Sequence, residues 1–315
     1  MVEKKFRILS LDGGGIRGLY SAKILKRIEE ECGVDFYNDF DLIVGTSTGS
    51  ILAGAIVRKI PLTEVISLYE NEGKNIFKKK SKFFGLFKSR GLNDSIYDSS
   101  YLEKKLKEIF GNTVLGDIKK PLLINATDIG NSEPFVFKTV NPKKKLVRDP
   151  KIALYDAVLA SSSAPIYFSP HKINDYLLAD GGLWANSPVL VALSEALHTF
   201  DAKPNEVVIL SIGTGNEKNN YNINTEKWGF LTGWRNKKMI STILSLQTTI
   251  NQNLLKFLIP RENILNLSYT SDKVLPLDDT SQNKNLLSKA ERDFSDKHKK
   301  IQDFINRYVK DTDVS

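Results

Sequence analysis

Two glycine-flanked loops and one carboxyl have the residue types that acyl-transfer chemistry needs. Gly45-Thr46-Ser47-Thr48-Gly49 sets a serine between the apolar run Leu42-Ile43-Val44 and the apolar stretch from Ile51 to Val57. Between a strand and a helix, such a serine sits on a sharp turn with its Oγ exposed, and Gly45 and Gly49 leave room for the bend. The residue after a nucleophile at such an elbow also donates its N–H, which points to Thr48. The plain alternative is a turn in which Thr46, Ser47 and Thr48 only cap the helix.

Asp12-Gly13-Gly14-Gly15-Ile16-Arg17-Gly18 follows the apolar run Phe6 to Leu11 and opens a helical pattern. It admits two readings. As Gly13-x-Gly15-x-x-Gly18 it matches a dinucleotide-binding loop. As a row of N–H donors at a helix N-terminus, with Arg17 adding charge, it is an oxyanion hole built from Gly13, Gly14 and Gly15. The dinucleotide reading wants an acidic residue at the carboxyl end of the second strand, where it can bind ribose. Asp39 and Asp41 precede that strand, and its end carries Gly45-Thr46-Ser47. The oxyanion reading is the stronger, and a non-hydrolytic dinucleotide-binding protein is its competitor.

A serine nucleophile needs a base, and the chain has only three histidines. His198 falls at a helix end, His298 within a charged run, and His171 after Ser169-Pro170; none ends a strand beside a loop. Asp180 does, closing Tyr176-Leu177-Leu178-Ala179 and opening Asp180-Gly181-Gly182, on the side of the sheet where Ser47 projects. Without the elbow, an Asp-Gly turn would explain it as well.

These groups require elements that hold them. Strand-like runs at Phe6–Leu11, Leu42–Val44, Pro121–Ala126, Phe135–Phe137, Tyr176–Ala179 and Val207–Ile212 alternate with helical patterns after Gly18, at 51–57, 102–110, 154–159 and 189–197. The pattern at 189–197 opens on Ser187-Pro188, a cap residue and a first-turn proline. This alternation predicts an α/β fold with a largely parallel sheet covered on both faces. Near the C-terminus, Ser288-Lys289-Ala290-Glu291 fits a capping box, and Phe294, Ile301, Phe304, Ile305 and Tyr308 form an apolar stripe expected to pack on its own domain.

Composition narrows the function classes. The 315 residues suffice for one large domain, and no apolar run reaches the roughly 20 residues of a spanning helix. The start, Met1-Val2-Glu3-Lys4-Lys5, shows no signal-peptide core, so the expected location is cytoplasmic. The single Cys32 forms no intrachain disulfide, and Cys and His together build no zinc site. With no carboxylate-rich loop for calcium, no metal and no cofactor is expected. The net charge of +8 suits an anionic membrane or a nucleic acid. It is concentrated in the acid-free segment Lys74 to Arg90, where Lys78, Lys79, Lys80 and Lys82 interleave with Phe83 and Phe84 as a candidate membrane contact, giving peripheral association. No nucleic-acid module accompanies it, so nucleic acid is not the expected substrate. Trp228, Gly229, Phe230, Gly233 and Trp234 form a second aromatic, glycine-rich stretch beside Arg235, Lys237 and Lys238.

The loops Asp12 to Gly18, Gly45 to Gly49 and Asp180-Gly181-Gly182 occur in the order and context of the patatin-like phospholipases. Ala160-Ser161-Ser162-Ser163-Ala164-Pro165 and Asn186-Ser187-Pro188 resemble that family's blocks flanking the aspartate. The resemblance covers about residues 6–215, and it is not carried further. It implies a three-layer α/β/α fold with a mostly parallel central sheet, a Ser47–Asp180 dyad without histidine, and hydrolysis of acyl esters of membrane phospholipids or galactolipids. By position, Gly13, Gly14, Gly15, Arg17 and the Thr48 N–H would bind the oxyanion, with Asp12, Gly18, Gly45, Gly49, Gly181 and Gly182 shaping the loops. Residues 216–315 are expected to be a helical extension on the same domain. Some bacterial members are antiphage effectors switched on by a cyclic nucleotide, which makes a regulated effector a further expectation. No residue pattern names such an activator or an oligomeric state.

Overall fold

Phe6–Leu11 forms β1, and its alternation explains why it lies at the centre of the molecule. Leu9 and Leu11 point to one face of the sheet, and Ile8 points to the other. A strand buried on both sides needs a covering layer on each. The computed structural model describes residues 5–80, 94–217, 221, 224–229, 232, 236–272 and 276–310.

β1 pairs in parallel with β2 (Leu42–Thr46) on one side and with β7 (Val207–Ile212) on the other. β3 (Leu122–Asp128) joins β2 in parallel, and the strand Ile264–Leu267 joins β7 in parallel. β4 (Glu133–Lys138), β5 (His171–Ile173) and β6 (Tyr176–Asp180) complete the far side, each in antiparallel pairing. The order is β5-β6-β3-β2-β1-β7 followed by Ile264–Leu267, with β4 also on β3. The expected mostly parallel sheet is thus present, with an antiparallel margin. β6 therefore runs against its neighbours: Asp180 pairs with Ala126 while Thr46 pairs with Asn125, so the chain reaches the carboxyl end of the parallel strands from the opposite direction.

Helices cover both faces. α1 (Gly18–Cys32) and α2 (Thr48–Val57) lie over Leu9, Leu11 and Ile43, and the helix Val189–Thr199 with Leu255 and Ile259 lies over Ile8, Val44 and Ile209. Ser187 does not cap Val189–Thr199. Pro188 holds the N-cap position, and the Ser187 hydroxyl accepts a bond from Gln252 Nε2 at 3.2 Å. Cys32 is buried at the end of α1.

Asn283–Phe304 packs on α1, with Phe294, Ile301 and Phe304 buried as the apolar stripe requires. Tyr20 donates to Asp293 at 3.0 Å, and Lys23 pairs with Glu291 at 2.7 Å. The expected capping box at Ser288 is absent because the helix starts earlier, at Asn283, so Ser288 to Glu291 lies inside it. Glu291 is drawn outward to Lys23 and Arg27 of α1. Residues 216–315 are also less purely helical than expected, since Ile264–Leu267 is a strand of the main sheet.

Of the basic segment, Lys78 and Lys79 are exposed, and Lys80 pairs with Asp94 at 3.1 Å. Lys82, Phe83 and Phe84 lie outside the described residues, as do Phe230, Gly233, Trp234 and Arg235. Among the described residues no helix is long and apolar enough to cross a membrane.

Candidate active site

Ser47 terminates β2 and precedes α2 with φ 54° and ψ −126°, a strained conformation for a residue with a side chain. The turn is tight because α2 starts directly beneath β1: a Cβ on Gly49 would collide with the Leu11 carbonyl. Strain of this kind costs about 1–3 kcal/mol and persists only where surrounding bonds enforce it. Here the Ser47 N–H donates to Ser161 Oγ at 2.8 Å, and Ser161 Oγ donates to the Asn125 carbonyl at 2.5 Å. Ser50 Oγ donates to the Ser47 carbonyl at 2.6 Å. Ser47 forms no side-chain cap on α2, so its hydroxyl is available for other work.

The carboxyl of Asp180 faces it. Asp180 is 6% exposed and Ser47 8%. Burial pushes the Asp180 carboxyl up to about 6, opposed by hydrogen bonds from the Ser47 hydroxyl and from the Gly182 N–H, which reaches Oδ1 at 2.7 Å. Ser163 anchors the strand end by accepting the Asp180 N–H at 3.0 Å, and Gly181 backs closely onto Asn125. Ser161 and Ser163 thus bind the Ser47 turn and the Asp180 strand respectively. Sequence reasoning noted the Ala160–Pro165 block and missed these roles; a hydroxyl at a helix end was a signal for Ser161 alone, since Ser163 acts through its main-chain carbonyl while its hydroxyl donates to the Leu159 carbonyl at 2.9 Å.

The glycine loop divides into parts with different tasks. Gly13 is already engaged: its N–H donates to the Asn186 carbonyl at 2.9 Å, and its carbonyl accepts from Thr214 Oγ1 at 2.6 Å. Gly14 and Gly15 line the pocket beside Ser47 and Thr48, and among the described residues their N–H groups have no acceptor. Thr48 is the first residue of α2, so its N–H has no intrahelical acceptor. Arg17 is buried and turned into the loop, where Nε donates to the Gly14 carbonyl and Nη1 to the Gly215 carbonyl, both at 3.2 Å. It braces the loop and does not line the pocket. Gly18 packs against Thr48, and Gly45 pairs with Leu11 across β1 and β2. Asp12 is buried beneath the loop beside the Ser187 hydroxyl, and desolvation pushes its carboxyl up to about 7. Thr46 stands where a dinucleotide loop needs its ribose acid; its hydroxyl donates to the Ala185 carbonyl at 2.7 Å.

Above Ser47 opens a pocket that Asp180 and Ser47 share. Ile51, Phe77, Leu102, Phe168, Ile240 and Leu244 make its walls predominantly apolar. His171, His198 and His298 do not line it; His171 pairs with Asp156 at 2.9 Å. Among the described residues no cluster of His, Cys, Asp or Glu could hold a metal.

The helix Asn236–Leu258, which falls in the expected helical extension but was neither located nor given a role by the sequence reading, supports the Asp180 loop. Thr248 Oγ1 accepts from Asn186 Nδ2 at 2.9 Å, Asn251 Nδ2 donates to the Ser187 carbonyl at 2.9 Å, and Gln247 donates to the Leu183 carbonyl.

An α/β/α sandwich with a serine at the strand-to-helix elbow, under an apolar pocket, defines a serine-type ester hydrolase. Residues 9–193 match the family described as Patatin-like phospholipase. The chain is 34% identical over 299 residues to a cGAMP-activated phospholipase of Escherichia coli (strain TW11681), covering 89% of this chain and 81% of that one. It is 35% identical over 285 residues to a cGAMP-activated phospholipase of Vibrio cholerae, covering 83% and 78%. Patatin-like protein 2 of Arabidopsis thaliana is 31% identical over 264 residues, covering 71% and 64%. The chain belongs to the patatin-like phospholipase family.

Proposed function

We propose that this enzyme hydrolyses fatty-acyl esters of membrane lipids through an acyl-enzyme on Ser47, with Asp180 as the base. One observation carries the reading: the Ser47 hydroxyl meets a carboxyl raised by burial to about 6, on the floor of an apolar pocket. An ordinary carboxylate is too weak a base for an alcohol near neutral pH, and burial moves Asp180 toward the range where proton transfer is efficient. Asp180 takes the Ser47 proton as Oγ bonds to the ester carbonyl carbon. The N–H groups of Gly14, Gly15 and Thr48 hold the resulting oxyanion. The C–O bond to the alcohol then breaks, and Asp180 gives its proton to that leaving oxygen. Water attacks the acyl-Ser47 carbonyl, losing a proton to Asp180. The fatty acid departs as Ser47 regains its proton.

The base must be ionised to act. With Asp180 near 6, kcat/KM is expected to be flat above that pH and to fall about tenfold per unit below it. A pH profile on a short soluble ester checks this. A limb near 4 would show that burial does not govern the base.

The likeness to cGAMP-activated phospholipases supports reading the enzyme as a regulated effector whose hydrolysis a cyclic dinucleotide switches on. Fatty-acid release from phospholipid vesicles, with and without cyclic GMP–AMP, tests both parts. Ser47-dependent fluorophosphonate labelling with stimulated release is expected. Labelling that survives Ser47→Ala overturns the nucleophile, and release insensitive to the nucleotide overturns the regulation.

A further inference from the structure

The helix Asn236–Leu258 is partly turned inside out. Much of its inner face is polar and is spent on hydrogen bonds to the Asp180 loop through Gln247, Thr248 and Asn251. Its outer face carries an apolar stripe beside the exposed Thr249, Asn253 and Lys256: Ile243 is 40% exposed, Leu246 56%, Ile250 53%, Leu254 46%, Phe257 79% and Leu258 53%. The steps of three and four residues place them in one stripe along the helix. A soluble surface rarely leaves such a stripe open unless it meets a partner.

We propose that this stripe is where the enzyme seats itself on an anionic phospholipid surface; the proposal rests on the lipid-hydrolase reading above. Two observations select that occupant. First, the helix reaches the pocket from the same stretch of chain. Ile240 and Leu244 line the pocket, so a bilayer against Ile243 and Leu246 lies beside the route a lipid takes to Ser47. Second, residues 236–258 contain three lysines and no acidic residue. A cationic helix with one apolar stripe lies in the headgroup plane, where apolar burial and attraction to anionic lipid add.

The stripe is separate from the chemistry, so the two can be tested apart. Sedimentation with vesicles of phosphatidylglycerol and phosphatidylcholine is read on Ser47→Ala protein, which removes hydrolysis from the measurement. Adding Leu246→Gln, Ile250→Gln and Phe257→Gln is expected to weaken vesicle binding at least tenfold. Binding before that change is expected to fall as salt rises. In the Ser47-intact enzyme, the same three substitutions are expected to leave hydrolysis of a short soluble ester unchanged, which also reports that the protein is folded. Vesicle binding unaltered by the triple change overturns the proposal. So does a dimer in analytical ultracentrifugation that the triple change dissociates without altering vesicle binding, for then a second copy covers the stripe. Soluble-ester turnover that survives Ser47→Ala would instead overturn the hydrolase reading and leave the sedimentation result standing.

Discussion

Ser47→Ala is expected to lower fatty-acid release from phospholipid vesicles by about 10⁴-fold or more, and Asp180→Asn by a similar factor. Each step of ten corresponds to about 1.4 kcal/mol of barrier, so the pair acts through roughly 5 kcal/mol or more. The two changes strike one proton transfer, so the double variant should be little worse than either single one. A control separates lost chemistry from lost folding. Burial raises the Asp180 carboxyl to about 6, whereas an unfolded aspartate titrates near 3.9. The protonated form is the one the fold favours. Its contribution is therefore fully present below about pH 4 and is lost as pH rises through about 6. At pH 8 the wild type carries a cost on the order of 2–3 kcal/mol, which Asn at this position removes. Asp180→Asn should thus melt higher than wild type at pH 8 and show little such gain at pH 4. Full activity in either single variant would sink the dyad.

The parts of this site that could be read in the sequence are those made by local spacing. β1 and β7 begin and end where the apolar runs do, and the helix at Val189 starts directly after Pro188. The elbow is legible for the same reason, since Gly45, Ser47 and Gly49 are close neighbours between a strand and a helix. What the spacing cannot express is direction and distance. The run ending in Asp180 looks the same whether β6 is parallel or antiparallel, because side chains alternate either way. The bond from the Ser47 N–H to Ser161 joins residues 114 apart, and a serine at a helix end gives no sign of such a partner. The helix Asn236–Leu258 escapes pattern reading because much of its inner face is polar while an apolar stripe faces outward, against the usual arrangement. Gly13 and Arg17 show the same limit. Their types suit an oxyanion hole, yet the Asn186 carbonyl takes the Gly13 N–H and the Gly14 and Gly215 carbonyls take Arg17.

Gly15→Ala is expected to lower kcat by about 10³-fold while leaving Ser47 in place. Gly15 has φ +58°, and a Cβ there would collide with the Leu277 carbonyl. The left-handed conformation alone costs a residue with a side chain about 1–2 kcal/mol. The collision is harder to relieve. The Leu277 carbonyl accepts the Ile16 N–H at 2.8 Å, so the segment that blocks the new methyl group also fixes the loop. Either the loop or Leu277 must move, and both movements turn the Gly14 and Gly15 N–H groups away from the oxyanion. Losing one such donor costs about 10²–10³ in kcat, and this change displaces two on adjacent residues. Because the loss falls on the transition state, kcat should drop with little change in KM, and fluorophosphonate labelling of Ser47 should slow without vanishing. Wild-type kcat in Gly15→Ala would show that the oxyanion is held elsewhere, and a matching rise in KM would place the damage in lipid binding. The segment that carries Leu277 is itself pinned, since Tyr97 donates to the neighbouring Asp278 at 2.5 Å, so the loop is the part more easily displaced.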